Sequence, residues 1–290
     1  MEDNQNGSRS ALGSLFFFLI LVAIIAAGVY YAPELVPQPK IGVVRVNYDI
    51  FSVTAGEFTQ QMDYARNNED IRAVVLIINS PGGSASYSEE MYLDVLSTRE
   101  EIPVIASIDL LAASGAYFTA AAADEIYAKP TSFVGSIGVI ASFPGPVFID
   151  DSILTTGPYK LFGGTKDGTV RQVEMAKLTF LEAVKIGRGD RLVASLEELS
   201  RAEIYSGVQA ERMGLIDGLI STDDAIKRAA ELANISNYEV VELYPLTFEQ
   251  EDAVEFGYEP EPINAEKLWA APTDLAPGLY YRFVANPITN

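Results

Sequence analysis

From Ala11 to Pro33 the chain carries no charged residue, and Leu15–Ala27 is wholly aliphatic and aromatic. About 20 such residues are enough to cross the hydrocarbon core of a bilayer as a helix. A cleaved signal peptide has an apolar region of only about 7–15 residues. The run here extends from Leu15 to Ala32 and ends in Tyr30 and Tyr31, a residue type enriched at the membrane–water interface. The pattern therefore predicts an uncleaved transmembrane anchor over residues 11–33, after a short N-terminus, residues 1–10. Arg9 is the only cation before the span, which keeps those ten residues cytoplasmic and places the remainder outside the cell membrane.

Residues 34–40 continue a proline-bearing stretch, with Pro33, Pro37 and Pro39 close together, and read as a short stiff linker. From Ile41 the pattern changes. Ile41–Val46, Ala73–Ile78 and Val104–Ile108 are β-branched runs of the buried-strand type, separated by helical periodicity over Glu57–Arg66 and Ser84–Thr98. A further helix is expected to begin near Ser114, a strand at Glu125–Ala128, helices at Val170–Ile186 and Thr222–Ala233, and a last strand at Tyr238–Leu243. Such βαβα alternation predicts an α/β domain over residues 41–243 with a largely parallel sheet and flanking helices. Beyond it lies a tail, residues 244–290. Between Glu249 and Asp274 it holds eight acids, one lysine and three prolines. It reads as mostly irregular chain, with Leu268–Trp269 and Leu279–Val284 able to dock on the body.

Composition then limits the chemistry. The 290 residues include no histidine and no cysteine. A Ser-His-Asp triad, a Cys-His dyad, disulfides and a His- or Cys-ligated zinc are all excluded. Hydrolysis would need Ser, Thr, a carboxylate or metal-bound water as nucleophile, and Lys, Asp, Glu or an N-terminal amine as base. The net charge of −20, from 40 acids and 20 bases, repels polyphosphate and disfavours nucleic acid as a partner. The same charge fits a surface adapted to high salt or an ordinary acidic protein.

Three segments carry candidate chemistry. Asn79-Ser-Pro-Gly-Gly-Ser84 stands where a strand gives way to a helix. Paired glycines there let a ligand approach the backbone and leave N–H groups at a helix start, as an oxyanion hole requires; a tight turn would use the same residues. Leu111-Ala-Ala-Ser-Gly-Ala-Tyr117 repeats that placement, and small neighbours leave Ser114 open to a substrate backbone. A serine there serves equally as a helix cap. The third segment is Gly135-Ser-Ile-Gly-Val139, followed by Gly157-Pro-Tyr-Lys160, whose lysine read alone is a solvated cation.

Taken in order, these segments resemble the Ser-Lys signal peptide peptidases of the SppA type, within the ClpP/crotonase superfamily. The resemblance runs from about Ile41 to Ala233 and takes in Gly187-Arg-Gly189 and Ile204-Tyr-Ser-Gly-Val-Gln-Ala-Glu-Arg-Met-Gly-Leu-Ile-Asp217. It implies a ClpP/crotonase-like fold, with Ser114 as nucleophile, Lys160 as general base and Ser136 orienting that lysine. It further implies an oxyanion hole from the backbone N–H groups of Gly83 and Gly115. A second lysine, Lys166, follows in Gly163-Gly-Thr-Lys166, and the spacing of the preceding glycine favours Lys160. The implied activity is endopeptidase cleavage of hydrophobic peptides, such as remnant signal peptides after export, without a cofactor or metal. The implied assembly is a homo-oligomeric ring, of which an octamer is one form, whose neighbouring protomers complete each site. Two other readings fit the fold: a crotonase-type acyl-CoA enzyme, and a catalytically inactive membrane scaffold.

Overall fold

The computed structural model describes residues 6–35, 38–142, 156–157, 159–160, 163–248 and 278–282. The chain divides into two units, Met1–Pro39 and Lys40–Asn290. In the first, helix α1 (Asn6–Leu35) is 30 residues long. Its described side chains, unbroken only over residues 13–28, are all exposed, among them Phe16, Phe17, Phe18, Ile24 and Ile25. Among the described residues no helix is long and apolar enough to cross a membrane.

The second unit is built on an eight-stranded sheet. Strand β1 (Lys40–Val46) leads through α2 (Ser52–Asn67) to β2 (Ile71–Ser80). A three-residue strand β3 (Gly82–Ser84) then precedes α3 (Ala85–Arg99), β4 (Val104–Ala113) and the short α4 (Gly115–Ala120). After β5 (Glu125–Ala128) come two short strands, β6 (Phe133–Gly135) and β7 (Ile140–Ser142), then the long α5 (Lys166–Arg188) and α6 (Leu196–Leu199). Strand β8 (Ile204–Ser206), α7 (Gly207–Arg212), β9 (Gly218–Leu219), α8 (Thr222–Leu232) and β10 (Glu239–Glu242) complete the sheet's share of the chain. The short α9 (Leu243–Thr247) and a strand near the C-terminus, β11 (Gly278–Arg282), follow.

Sheet order is β10-β1-β2-β4-β5-β9, with β6 alongside the second half of β4 and β8 beside β6. Every pair is parallel except β6–β8. Parallel strands covered on both faces read as continuous apolar runs, because successive side chains alternate between two cores. Val44, Val46, Val74, Leu76, Ile78, Val104 and Ala106 face one core, closed by Phe58 and Met62 of α2, Met91 and Val95 of α3, and Phe180 and Val184 of α5. Ile41, Val43, Ala73, Val75 and Ile105 face the other, where Ala225, Ala229 and Ala230 bring α8 onto the sheet. The expected α/β architecture, with a mostly parallel sheet and helices on both faces, is the one observed. A separate three-stranded sheet, β3-β11-β7, lies at one end of these strands.

Candidate active site

Register brings the sequence segments together. Ser80, at the end of β2, pairs with Ala112 of β4, while Ala113 pairs with Gly135 of β6. Ser114, the glycines Gly82–Gly83 and Ser136 thus all follow the carboxyl ends of adjacent parallel strands, where crevices form in α/β sheets. Ser114 turns the chain from β4 into α4 with φ 55° and ψ −123°, a conformation that costs an L-residue about 1–3 kcal/mol. The surroundings hold it there. The Ser114 N–H donates to the Gly135 carbonyl at 2.8 Å, and its own carbonyl accepts from the Phe118 N–H at 2.9 Å. All six residues of α4 are buried, and the Tyr117 hydroxyl donates to the Leu215 carbonyl at 2.7 Å. Burial pushes that phenol's pKa well above its ordinary value. A sharp strand-to-helix turn under strain is how several hydrolases present a nucleophilic serine. Ser114 is 1% exposed, and its Oγ has no hydrogen-bond partner among the described residues. Leaving a buried hydroxyl unpaired costs about 1–3 kcal/mol and asks for a functional reason.

The glycine pair is fixed as firmly. The Ile50 N–H donates to the Gly82 carbonyl at 2.9 Å, and the Ser84 N–H donates to the Ile50 carbonyl at 2.8 Å. Between these bonds Gly83 is pressed so closely on Ile50 that a Cβ would stand 2.1 Å from the Ile50 oxygen. Only glycine fits. Gly82 has φ 91° and donates its N–H to Ser80 Oγ at 3.2 Å, while Ser80 in turn donates to the Tyr48 carbonyl. Gly115 opens α4, and its carbonyl accepts from Thr119 Oγ1 at 3.1 Å.

Ser136 is 8% exposed, with φ 53°, and donates its N–H to the Glu203 carbonyl at 2.7 Å. The lysines stand apart. Lys160 is exposed on a turn in which its N–H donates to the Gly157 carbonyl at 3.2 Å. Lys166 is the exposed first residue of α5. Neither amine is hydrogen-bonded to Ser114 Oγ. One chain therefore assembles Ser114, Ser136 and the glycine strand, and leaves both candidate bases in solvent. Among the described residues no cluster of acidic side chains could hold a metal ion.

Two features of this region were not assigned from the sequence. Arg188, 1% exposed, makes a bidentate pair with Asp217, both contacts at 2.8 Å, and donates Nε–H to the Gly214 carbonyl at 2.8 Å. Asp217 Oδ2 also accepts from the Ile126 N–H at 2.7 Å, and Oδ1 from Arg191 at 3.0 Å. Burial alone would raise the Asp217 pKa; the bonds and charge of Arg188 outweigh it and hold the carboxyl below its ordinary value. The only signal in the sequence was that Gly187-Arg-Gly189 and Gly-Leu-Ile-Asp217 both belonged to the resemblance. The second feature is β11, which pairs antiparallel with β3 (Tyr280 with Ser84, Tyr281 with Gly83, Arg282 with Gly82). The sequence marks Leu279–Val284 as able to dock on the body, and β11 overlaps that segment, but nothing in it marks a strand or its partners.

Residues 97–146 match the family model described as peptidase family S49. Over 261 residues the chain is 30% identical to a putative protease, MJ0651, of Methanocaldococcus jannaschii, covering 79% of this chain and 84% of that one. It is 29% identical over 192 residues to protease 4 of Salmonella typhi, covering 61% of this chain but 31% of the relative, so it spans about a third of that protein's length. Among solved structures, a ClpP1 mutant from Listeria monocytogenes aligns over 63% of this chain and 94% of its own, at 14% identity and a TM-score of 0.46.

Proposed function

The chain belongs to peptidase family S49, and from that premise we propose that it is a membrane-anchored serine endopeptidase with a Ser-Lys dyad. Ser114 attacks the scissile carbonyl and forms an acyl-enzyme, which water then hydrolyses. The proton of Ser114 passes to Lys160, held in direction by the hydroxyl of Ser136. The N–H groups of Gly83 and Gly115 stabilise the oxyanion. One observation carries the reading: a serine locked in a strained turn, buried, with its Oγ unpaired among the described residues, beside Gly83, where no side chain fits.

A lysine serves as a base only when neutral. In water lysine titrates near about 10.4, and an apolar enclosure can lower that to about 7–8, the working range of a general base. The exposure of Lys160 on a single chain supports a ring in which a neighbouring copy supplies the base and the enclosure together. Helix α1 supports the anchor, since its described apolar side chains from Leu15 to Ile25 are all exposed. A site held at the bilayer surface suits hydrophobic peptides, including remnant signal peptides, with the catalytic unit outside the cytoplasm.

The direct test uses the assembled full-length protein and a fluorogenic apolar peptide. Ser114→Ala is expected to abolish hydrolysis, because no histidine or cysteine exists to take over. Full activity in that variant, in material free of other proteases, would refute the assignment.

A further inference from the structure

The three-stranded sheet has the order β3-β11-β7. Strand β11 pairs with β3 on one side and with β7 on the other (Gly278 with Ser142, Leu279 with Ala141, Tyr280 with Ile140), antiparallel to both. The outer strands do not pair with each other. Taking β11 away leaves two facing edges about two strand spacings apart, roughly 10 Å, which is room for one extended chain. Exposed edges of this kind template the pairing of another strand, and peptides are captured by such addition.

The slot is not remote from the chemistry. One wall contains Gly83 itself, opposite Tyr281. The other wall, β7, begins four residues after Ser136. Strand β11 also lies against α3 and against α4, the helix that begins immediately after Ser114. Ser114, in the turn ahead of α4, is 1% exposed. A peptide reaching Ser114 in extended form would need the same edges, and here they are taken by the chain's own C-terminal segment.

We propose that Gly278–Arg282 is an intramolecular latch, which occupies the peptide-binding slot between β3 and β7 and must leave before a substrate strand can enter. The consequence for activity rests on the peptidase reading, whereas the competition for the slot does not. The strand is held by only three paired positions on each side, at the lower end of the usual strand length of about 3–10 residues, so it suits a device that opens. A competitor that occupies the slot most of the time lowers the apparent affinity of an incoming ligand by the fraction of time the slot is free.

The test uses full-length chains carrying Ser114→Ala, so that the probe is not hydrolysed. The probe is the fluorescein-labelled pentapeptide amide Gly-Leu-Tyr-Tyr-Arg, and its binding is followed by anisotropy. Leu279→Pro with Tyr281→Pro removes two N–H groups from the ladder and is expected to tighten probe binding by about tenfold or more. A second variant, Tyr280→Cys with Ser84→Cys, joins two residues that face each other in register. No native cysteine competes for the bond, and directly opposed Cβ atoms lie close to disulfide range. Oxidation is expected to abolish probe binding, and reduction to restore it. The latch is refuted if the proline chain folds and binds like its parent, if the oxidised and reduced chains bind alike, or if the disulfide does not form. Hydrolysis measured in parallel with Ser114 intact separates the two readings. Tighter binding without hydrolysis sinks the peptidase and keeps the latch; hydrolysis with unchanged binding does the reverse.

Discussion

Ser114 and Ser136 both hold positive φ, at 55° and 53°, and each is pinned through its N–H to a carbonyl of a neighbouring segment. Two strained serines on adjacent strand ends are hard to explain by folding alone, since glycine would relieve both. Their candidacy was legible because Ala112, Ala113, Gly115 and Ala116 surround Ser114, and because Ser136 stands between Gly135 and Ile137 before Gly138. The base was less legible. A lysine acquires catalytic character from what encloses it, and Lys160 and Lys166 stand six positions apart, separated only by the spacing of the preceding glycine, which favours Lys160. The dyad predicts that Lys160→Ala removes nearly all peptidase activity without loss of fold, while Lys166→Ala does much less. Ser136→Ala falls between, at about 10–100-fold, because a misdirected lysine still accepts a proton. Steady-state kinetics on the three variants decide it. Loss with Lys166→Ala and none with Lys160→Ala would move the base to Lys166.

The longer strands and helices were legible for a physical reason: Ile41–Val46, Ala73–Ile78, Ser84–Thr98 and Thr222–Ala233 carry enough apolar residues in one period to declare themselves. Strands β3, β6, β7, β8 and β9 have two or three residues each, too few for any periodicity. They exist because a neighbouring edge pairs with them. The same holds for the joint between α5 and the loop ahead of β9, where Arg188 and Asp217 meet across 29 positions. Removing one member of a buried ion pair costs about 3–5 kcal/mol, so Asp217→Asn is expected to lower the thermal midpoint sharply at neutral pH. The Asp217 pKa is depressed in the folded state. Its contribution is therefore complete above the unfolded value of about 3.9 and is lost as pH falls through the lower folded value. Melting curves of the two chains should converge as pH is taken from about 5 downward through that window. A gap that stays constant across that range would show that the pair does not titrate as described.

The division into an apolar N-terminal helix and a separate α/β unit follows the change in composition near Lys40. Leu279–Val284 was legible as a segment able to dock on the body, but its partners, β3 and β7, were not, because they form a site for it only after folding. If α1 is an uncleaved anchor, the intact chain stays with membranes through an alkaline carbonate wash; a soluble product beginning near Tyr30 would instead mark a cleaved signal. The central claim, that Ser114 is an activated nucleophile, is open to one direct measurement on the intact 290-residue chain. Treated with a fluorophosphonate and digested, it is expected to yield a single modified peptide with the adduct on Ser114, lost in Lys160→Ala and absent in Ser114→Ala. An adduct on another serine, or none from a preparation that hydrolyses peptides, would contradict the account.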